Sequence, residues 1–397
     1  MGSLFKQIGA ITMLNVRSIP QRMAMSISTV VAVAMAVAVL LGFMALAEGF
    51  RATVQGGGAD NVAVIMRDGA DSELSSVMLS DQINLISADP GVARQGDTPI
   101  VSGELYLVVN GLKKSTGTQA NMTLRGMSLL GLAVRPQVHI TQGRMFTPGT
   151  NEMVVGRGLL REFAGFELNK EIRLGSNVWK VVGVFEAPGT VFESELWADS
   201  HVVQSLFNRG NSYQIARVRV TGPRGFSELK AALHNDPRTR ELLARTEREY
   251  YASQAGQTSD LIGNIGIPLA IVMAIGALAG ALNTMYGSVA ARSAEIATLR
   301  IIGFSGYAAF MGTLVEAIVL AIIGGLVGAF FCFIFFNGMT TSTLGSNFTQ
   351  VVFQLKFTPL LLLWAVIMAA VIGFIGGFFP GIRAARQSPQ LELAAAQ

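Results

Sequence analysis

Residues 23–47 read MAMSISTVVAVAMAVAVLLGFMALA, and no charged side chain stands between Arg22 and Glu48. About 20 apolar residues suffice to cross a hydrocarbon core about 30 Å thick, so this stretch predicts a transmembrane helix. Working outward, the same absence recurs between Asp260 and Arg292 and between Lys356 and Arg383, while Glu316 is the sole charge between Arg300 and Lys356. The expected fold is therefore an integral-membrane α-helical bundle of four transmembrane helices, with a large α+β domain inserted between the first and second. The spans are expected at 24–47, 265–289, 307–336 and 359–382.

Composition follows this division. The 397-residue chain is 14% charged, against about 25% in soluble domains, and its mean hydropathy is +0.47. The pI of ≈ 9.3 is not a nucleic-acid footprint, because residues 48–260 are close to neutral. The positive surplus lies in short membrane-flanking segments: Lys6, Arg17 and Arg22; Arg292 and Arg300; Arg383 and Arg386. Only Glu295 and Glu392 oppose them. Since short cytoplasmic loops carry the excess of Lys and Arg, both termini and the 290–306 loop are expected inside, the insert and the 337–358 loop outside. The lone cysteine, Cys332, falls in an apolar run and is read as a small apolar residue. Ala45-Leu46-Ala47 resembles a signal-peptidase site, but the apolar run before it exceeds the 7–15 residues usual in a signal peptide, so a retained anchor is expected.

Residues 1–23 read as an amphipathic cytoplasmic lead-in, with Leu4, Phe5, Ile8, Ile11 and Met13 toward the membrane surface and a break at Pro20. In the 48–260 insert, Val62 to Met66 predicts a strand, and Ser80 is expected to cap a short helix carrying Leu79, Ile83 and Ile86 on one face. Asn110-Gly111 is expected to turn a hairpin between Leu105–Val109 and Met122–Leu124, and Gly175-Ser176-Asn177 a second. Val218 and Val220 alternate with Arg217, Arg219 and Thr221 as in a half-buried strand. Ser227 opens a helix with Leu229 and Leu233 inward. Phe192 to Asp199 gathers acids around two aromatics, either a partner-binding edge or a buried Trp with solvated acids. At about 240–263 a polar helical pattern predicts a stalk running into the second span; an ordinary linker is the alternative. Glycines four apart, at Gly276/Gly280, Gly324/Gly328 and Gly373/Gly377, permit close helix approach in lipid. Residues 383–397 read as a cytoplasmic tail. Glu316, costly inside a membrane, is expected to hydrogen-bond a neighbouring helix, with gating, coupling or proton transfer as alternatives.

The cytoplasmic return reads LNTMYGSVAARSAEIATLRIIGF from Leu282 to Phe304. If helical, it places Arg292, Glu295, Ile296, Leu299 and Gly303 on one face, with Arg292 and Glu295 paired; a solvated basic loop is the plainer reading. This run resembles the N-x-M-x-x-S-V-x-x-R-x-x-E-I-x-x-L-R-x-x-G pattern of FtsX-like permeases, the membrane subunits of MacB-type ABC transporters. The fit takes in Asn283, Met285, Ser288, Val289, Arg292, Glu295, Ile296, Leu299, Arg300 and Gly303. It departs at Ala291, where the family often has Glu, and at Ala297, where Gly is frequent. The resemblance continues through Glu316-Ala317 with Gly324-Gly325, and through Pro380 to Arg386. In the insert, Gly143-Arg144-x-Phe146, Glu152 to Gly156 and Trp179 to Val184 look like the family's periplasmic core domain.

The resemblance implies that Arg292, Glu295, Ile296, Leu299, Arg300 and Gly303 couple to a dimeric cytoplasmic ABC ATPase. ATP and Mg would bind that partner and none would bind this chain, which is expected not to be catalytic itself. No G-x-x-x-x-G-K-[ST] phosphate loop occurs in the sequence. A second permease copy or homologue, membrane lipid and, for export, a periplasmic adaptor and outer-membrane channel are the further partners implied; nucleic acid is not. His139, His201 and His234 are too scattered for a metal site. The expected role is the permease subunit of a bacterial inner-membrane ABC system, coupling ATP hydrolysis to movements of the periplasmic domain that drive export or extraction, including lipoprotein release. The alternative is a signal-transmitting protein that activates a periplasmic cell-wall hydrolase without transport.

Overall fold

The computed structural model describes residues 4–345 and 347–386. In chain order its helices are α1 Leu4–Arg17, α2 Met23–Gly56, α3 Ser80–Ser87, α4 Leu130–Ala133, α5 Arg157–Glu162, α6 Ser200–Leu206, α7 Pro223–Asn235, α8 Glu247–Ala291, α9 Ser293–Ile301, α10 Gly306–Phe336 and α11 Pro359–Arg386. The segments including α2, α8, α10 and α11 are long and apolar enough to cross a membrane, and among the described residues they are the 4 that qualify. The part of the expected tail beyond Arg386 lies outside the described residues.

Two compact units divide the chain. One comprises residues 1–47, 261–339 and 356–397; the other comprises 48–260 together with 340–355.

In the helical unit, small residues set the spacing. A Cβ built on Gly324 of α10 would lie 2.7 Å from the Val30 carbonyl oxygen of α2, and one on Gly328 would collide with the Ala34 backbone. Gly373 and Gly377 of α11 rest against Ala321 and Ala317, where an added Cβ would come within 2.7 and 2.6 Å of those methyls. Backbones at such range gain dispersion contacts that larger side chains would forbid. The glycines of α8 differ from expectation. A Cβ added at Gly276 would meet nothing within 4 Å outside its own helix, and one at Gly280 would meet only the Ala32 methyl, at 3.7 Å. Within the chain α8 packs instead through Ala277, Ala281, Met285 and Val289, all buried.

The other unit is built on a 10-stranded mixed sheet. Its strands run in the order 242–246, 62–67, 215–219, 101–112, 119–127, 195–199, 152–156, 177–186, 139–143, with 171–174 pairing beside 177–186. Pairing is antiparallel except at 195–199 with 119–127 and at 177–186 with 152–156. One core packs α3 and α7 on the first strands through Ile86, Leu229, Leu233, Ile65 and Val218. A second packs α5 and α6 on the later strands through Leu159, Phe163, Val203, Trp179 and Leu196.

Several local expectations change here. Asn110 and Gly111 pair with Asn121 and Ala120 inside the ladder, so the first hairpin turns over Lys113 to Thr118. The second hairpin turns on Gly175-Ser176, with Gly175 at φ +62. Helix α7 begins at Pro223, not Ser227, as Pro suits a first turn whose N–H groups lack partners. Residues 242–246 are not stalk but an edge strand on Val62–Arg67; Leu242 and Ala244 are buried with a period of two. The helix starts at Glu247 and continues for 45 residues through Pro268.

The segment between α10 and α11, expected as a loop, forms the antiparallel pair Thr340–Leu344 with Gln350–Gln354. It belongs to the sheet unit. Thr349 shares a 2.7 Å hydrogen bond with the Tyr106 hydroxyl, Ser342 accepts one of 2.8 Å from Lys113, and the Val352 amide donates to Ser194 at 2.8 Å.

Candidate functional site

The continuity of α8 ends at Arg292, which stands at φ −114, ψ 12 between α8 and α9. That break turns the chain, and Gly303 at φ +105 turns it again after α9. Only glycine takes such a left-handed value without steric cost. Ser305 then caps α10 by accepting from the Ala308 amide at 3.2 Å, so α9 is a short element held between two defined turns.

Its inner face is apolar and covered. Ile296 clusters with Val289, Ala309 and Ala384, and Ala297 is fully buried. Arg300 is half-buried and donates to the Ala385 carbonyl at 2.6 Å, while Gln7 of α1 accepts from the Ser305 amide at 3.1 Å.

Arg292 also points inward, at 9% exposure. Its Nη1 donates to Glu316 of α10 at 3.1 Å, its Nη2 donates to Asn15 of α1, and its Nε lies 3.4 Å from Glu295. Glu316, 3% exposed, also lies 3.6 Å from Arg22, which itself donates to Ser288 of α8 and to Ser18 at 2.6 Å. Two guanidinium groups thus share one buried carboxylate.

The six residues expected to couple, five of them on one helical face, therefore separate. Arg292 and Ile296 face the protein interior, Leu299 and Arg300 are half-buried, and Glu295 and Gly303 are exposed. The single-face expectation assumed one helix through 292–303. The break at Arg292 removes that residue from the register, and the apolar side of α9 finds its partner inside the chain. What α9 presents outward is Glu295, Thr298, Ile301 at 59% and Ile302 at 71% exposure, followed by Tyr307 at 55%. Periodicity could not find Ile301 and Ile302, which adjoin in sequence and lie where the helix ends. Of the packing glycines, Gly324, Gly328, Gly373 and Gly377 lie at close helix contacts, and Gly276 and Gly280 do not.

The sheet unit holds a second ionic centre. Arg125, Arg135 and Arg217 are buried with Glu73, Glu104, Glu195 and Glu247, none more than 3% exposed. Arg125 donates to Glu73, Glu104 and Glu195 at 2.7, 2.9 and 2.7 Å. Arg135 grips both oxygens of Glu104 at 2.7 Å. Arg217 reaches Glu104 at 3.2 Å, Glu73 at 3.1 Å and Tyr251 at 3.0 Å, and pairs with Glu247 in the first turn of α8. Burial alone would raise the Glu104 carboxyl, but the three arginines outweigh it and bring it down to about 2. Burial would raise Glu195 too, but the guanidinium of Arg125 leads the groups that lower it. Burial pushes the Tyr106 hydroxyl up to about 12.

Alternation with Val218 and Val220 in a half-buried strand puts Arg217 on the polar face, and Glu195 and Asp199 are expected either at a partner-binding edge or as solvated acids beside a buried Trp; all three are buried. Asp199 accepts the His201 and Val202 amides at the start of α6, and Trp197 donates to Glu195 at 2.7 Å. A cavity of ≈ 40 Å³ beside Glu73, Tyr106, Arg125, Glu195 and Thr349 has room for a few waters, each needing about 10–15 Å³ on this measure.

Residues 26–235 match the model of the MacB-like periplasmic core domain, and residues 267–389 that of the FtsX-like permease C-terminal region. The macrolide export ATP-binding/permease protein MacB 1/2 of Paracoccus denitrificans is 25% identical over 391 residues, covering 92% of this chain and 55% of the relative. MacB of Vibrio parahaemolyticus is 30% identical over 126 residues, 32% of this chain and 18% of that one. The chain thus spans about half or less of the length of these relatives. Among solved structures, the periplasmic region of MacB from Actinobacillus actinomycetemcomitans aligns with a TM-score of 0.38 at 13% identity, over 49% of this chain and 92% of that one.

Proposed function

Because the chain belongs to the family of permeases that carry a MacB-like periplasmic core domain before an FtsX-like C-terminal region, we propose that it is the membrane subunit through which an ABC ATPase does work outside the membrane. The chain itself is the permease, a multi-pass membrane protein. In this reading it lies in the bacterial inner membrane with both termini and α9 in the cytoplasm and the sheet unit in the periplasm. ATP and Mg bind a separate dimeric ATPase, and two permease subunits carry its two docking surfaces. The substrate is one reached from the periplasmic side or from the membrane, as in export or extraction.

The observation that carries this is the end-to-end form of α8. One 45-residue helix starts at Glu247, paired to Arg217 in the sheet unit, and ends at the turn into α9. In this reading α8 is the continuous stretch of chain along which displacement of α9 would pass.

The test uses α9's outward residues. Glu295→Arg and Ile302→Asp should reduce recovery of the ATPase with the full-length protein about tenfold, equivalent to about 1.4 kcal/mol. Membrane insertion should be unchanged, since both side chains are already exposed. Undiminished recovery in both variants rejects this surface.

A further inference from the structure

Arg292 lies where a docking face was expected, yet it makes its contacts inside the protein. We propose that Arg292 and Glu316 are positioning residues: they lock α9 to α1, α2 and α10, so that these elements move as one body when α9 is displaced. The proposal rests on the coupling reading above for what displaces α9, but the lock itself is a property of this chain.

Arg292 occupies the joint between α8 and α9, so α9 cannot shift without carrying its backbone. Its guanidinium is bound to Asn15 of α1 and Glu316 of α10. Glu316 in turn holds Arg22, which precedes α2 and reaches Ser288 of α8. A guanidinium fork is planar and rigid, so these bonds fix direction as well as distance. The centre is also unredundant. Glu316 is the one carboxylate within it that is buried, whereas Glu295 is 68% exposed. In a site poor in water, loss of that carboxylate leaves two cations facing each other with no buried counter-charge, Glu295 alone remaining at the surface.

A buried ion pair could instead serve stability alone. The two roles separate on whether α9 and α1 move together, which calls for a measurement of motion and not of folding.

Spin labels at Thr298 and Met13, both exposed, would be placed on the full chain with Cys332→Ala and reconstituted in lipid discs. Without nucleotide, the α9–α1 distance distribution should be narrow in the parent protein and at least twice as wide in Glu316→Gln. Combining Glu316→Gln with Arg292→Gln should add nothing further, because either change already opens the lock. With the ATPase bound and ATP–vanadate added, the parent should keep its separation while Glu316→Gln changes it. Arg292→Lys, which keeps the cation but loses the fork, stands in if Glu316→Gln fails to insert, and should widen the distribution to an intermediate degree. An unchanged width in both single variants, or additive widening in the double, overturns the lock. Failure of any ATPase to bind the parent would overturn the coupling reading and leave the nucleotide-free arm decisive for the lock.

Discussion

The two buried ionic centres differ in redundancy. In the sheet unit, three arginines and four glutamates cross-link so that Glu104 alone receives bonds from Arg125, Arg135 and Arg217. At the α8–α9 turn, two arginines converge on Glu316. A many-partnered cluster resists rearrangement, because moving one group strands several others. A centre with one shared acceptor has few arrangements to defend. The first is built to keep a shape, and the second to keep a connection.

The sharpest way to break that contrast is Arg125→Met. It takes from Glu195 its arginine and from Glu73 one of two, and should destabilise the sheet unit by about 3–5 kcal/mol, read as loss of sheet signal at lower denaturant in the intact chain. A loss below about 1 kcal/mol would mean that the cluster is not what holds the shape.

Acid provides a milder attack. Glu104 titrates at about 2 in the folded protein against 4.5 unfolded. A depressed pKa means its stabilisation is complete above about pH 5 and drains away as pH falls toward 2, by about 3 kcal/mol in all. Denaturation midpoints should stay flat from pH 7 to 5 and fall below that. Glu152, also held near 2 by Arg144 but at the surface, adds little because water screens it. A midpoint that does not move between pH 5 and 3 would show that the Glu104 bonds carry no net stability.

The smallest change is Tyr106→Phe, which removes the hydroxyl shared with Thr123 and Thr349. It should cost about 1 kcal/mol and raise proteolytic or hydrogen-exchange access within 340–354, leaving the rest of the sheet protected. Uniform deprotection would merge the hairpin with the cluster in one cooperative unit.

The four spans were legible because absence of charge is a local property, and the resemblance around Asn283 to Gly303 located α9. What escaped depends on distant partners. Arg217 on an alternating strand looks solvent-facing until Glu73, Glu104 and Glu247 arrive from elsewhere in the chain. Leu242, Leu243 and Thr246 fit a helical period as well as a strand, and only the open edge at Val62–Arg67 decides. Asn110-Gly111 carries a strong turn signal, yet the ladder continues past it to Leu112 and Gln119. For α9 the apolar stripe was visible, but whether it faces inward or outward depends on Ala309 and Ala384, which no local pattern reveals.

The hairpin of residues 340–354 carries a consequence for biosynthesis. Chains emerge from the ribosome N-terminus first, and domains ordinarily fold as their residues appear. Here the sheet domain's 48–260 stretch is synthesised while Thr349, Val352 and Ser342 do not yet exist, so Tyr106, Ser194 and Lys113 wait for these three contacts. The domain reaches its final form only after translation has passed α10. Completion of its shape thereby certifies that the third membrane helix has been made.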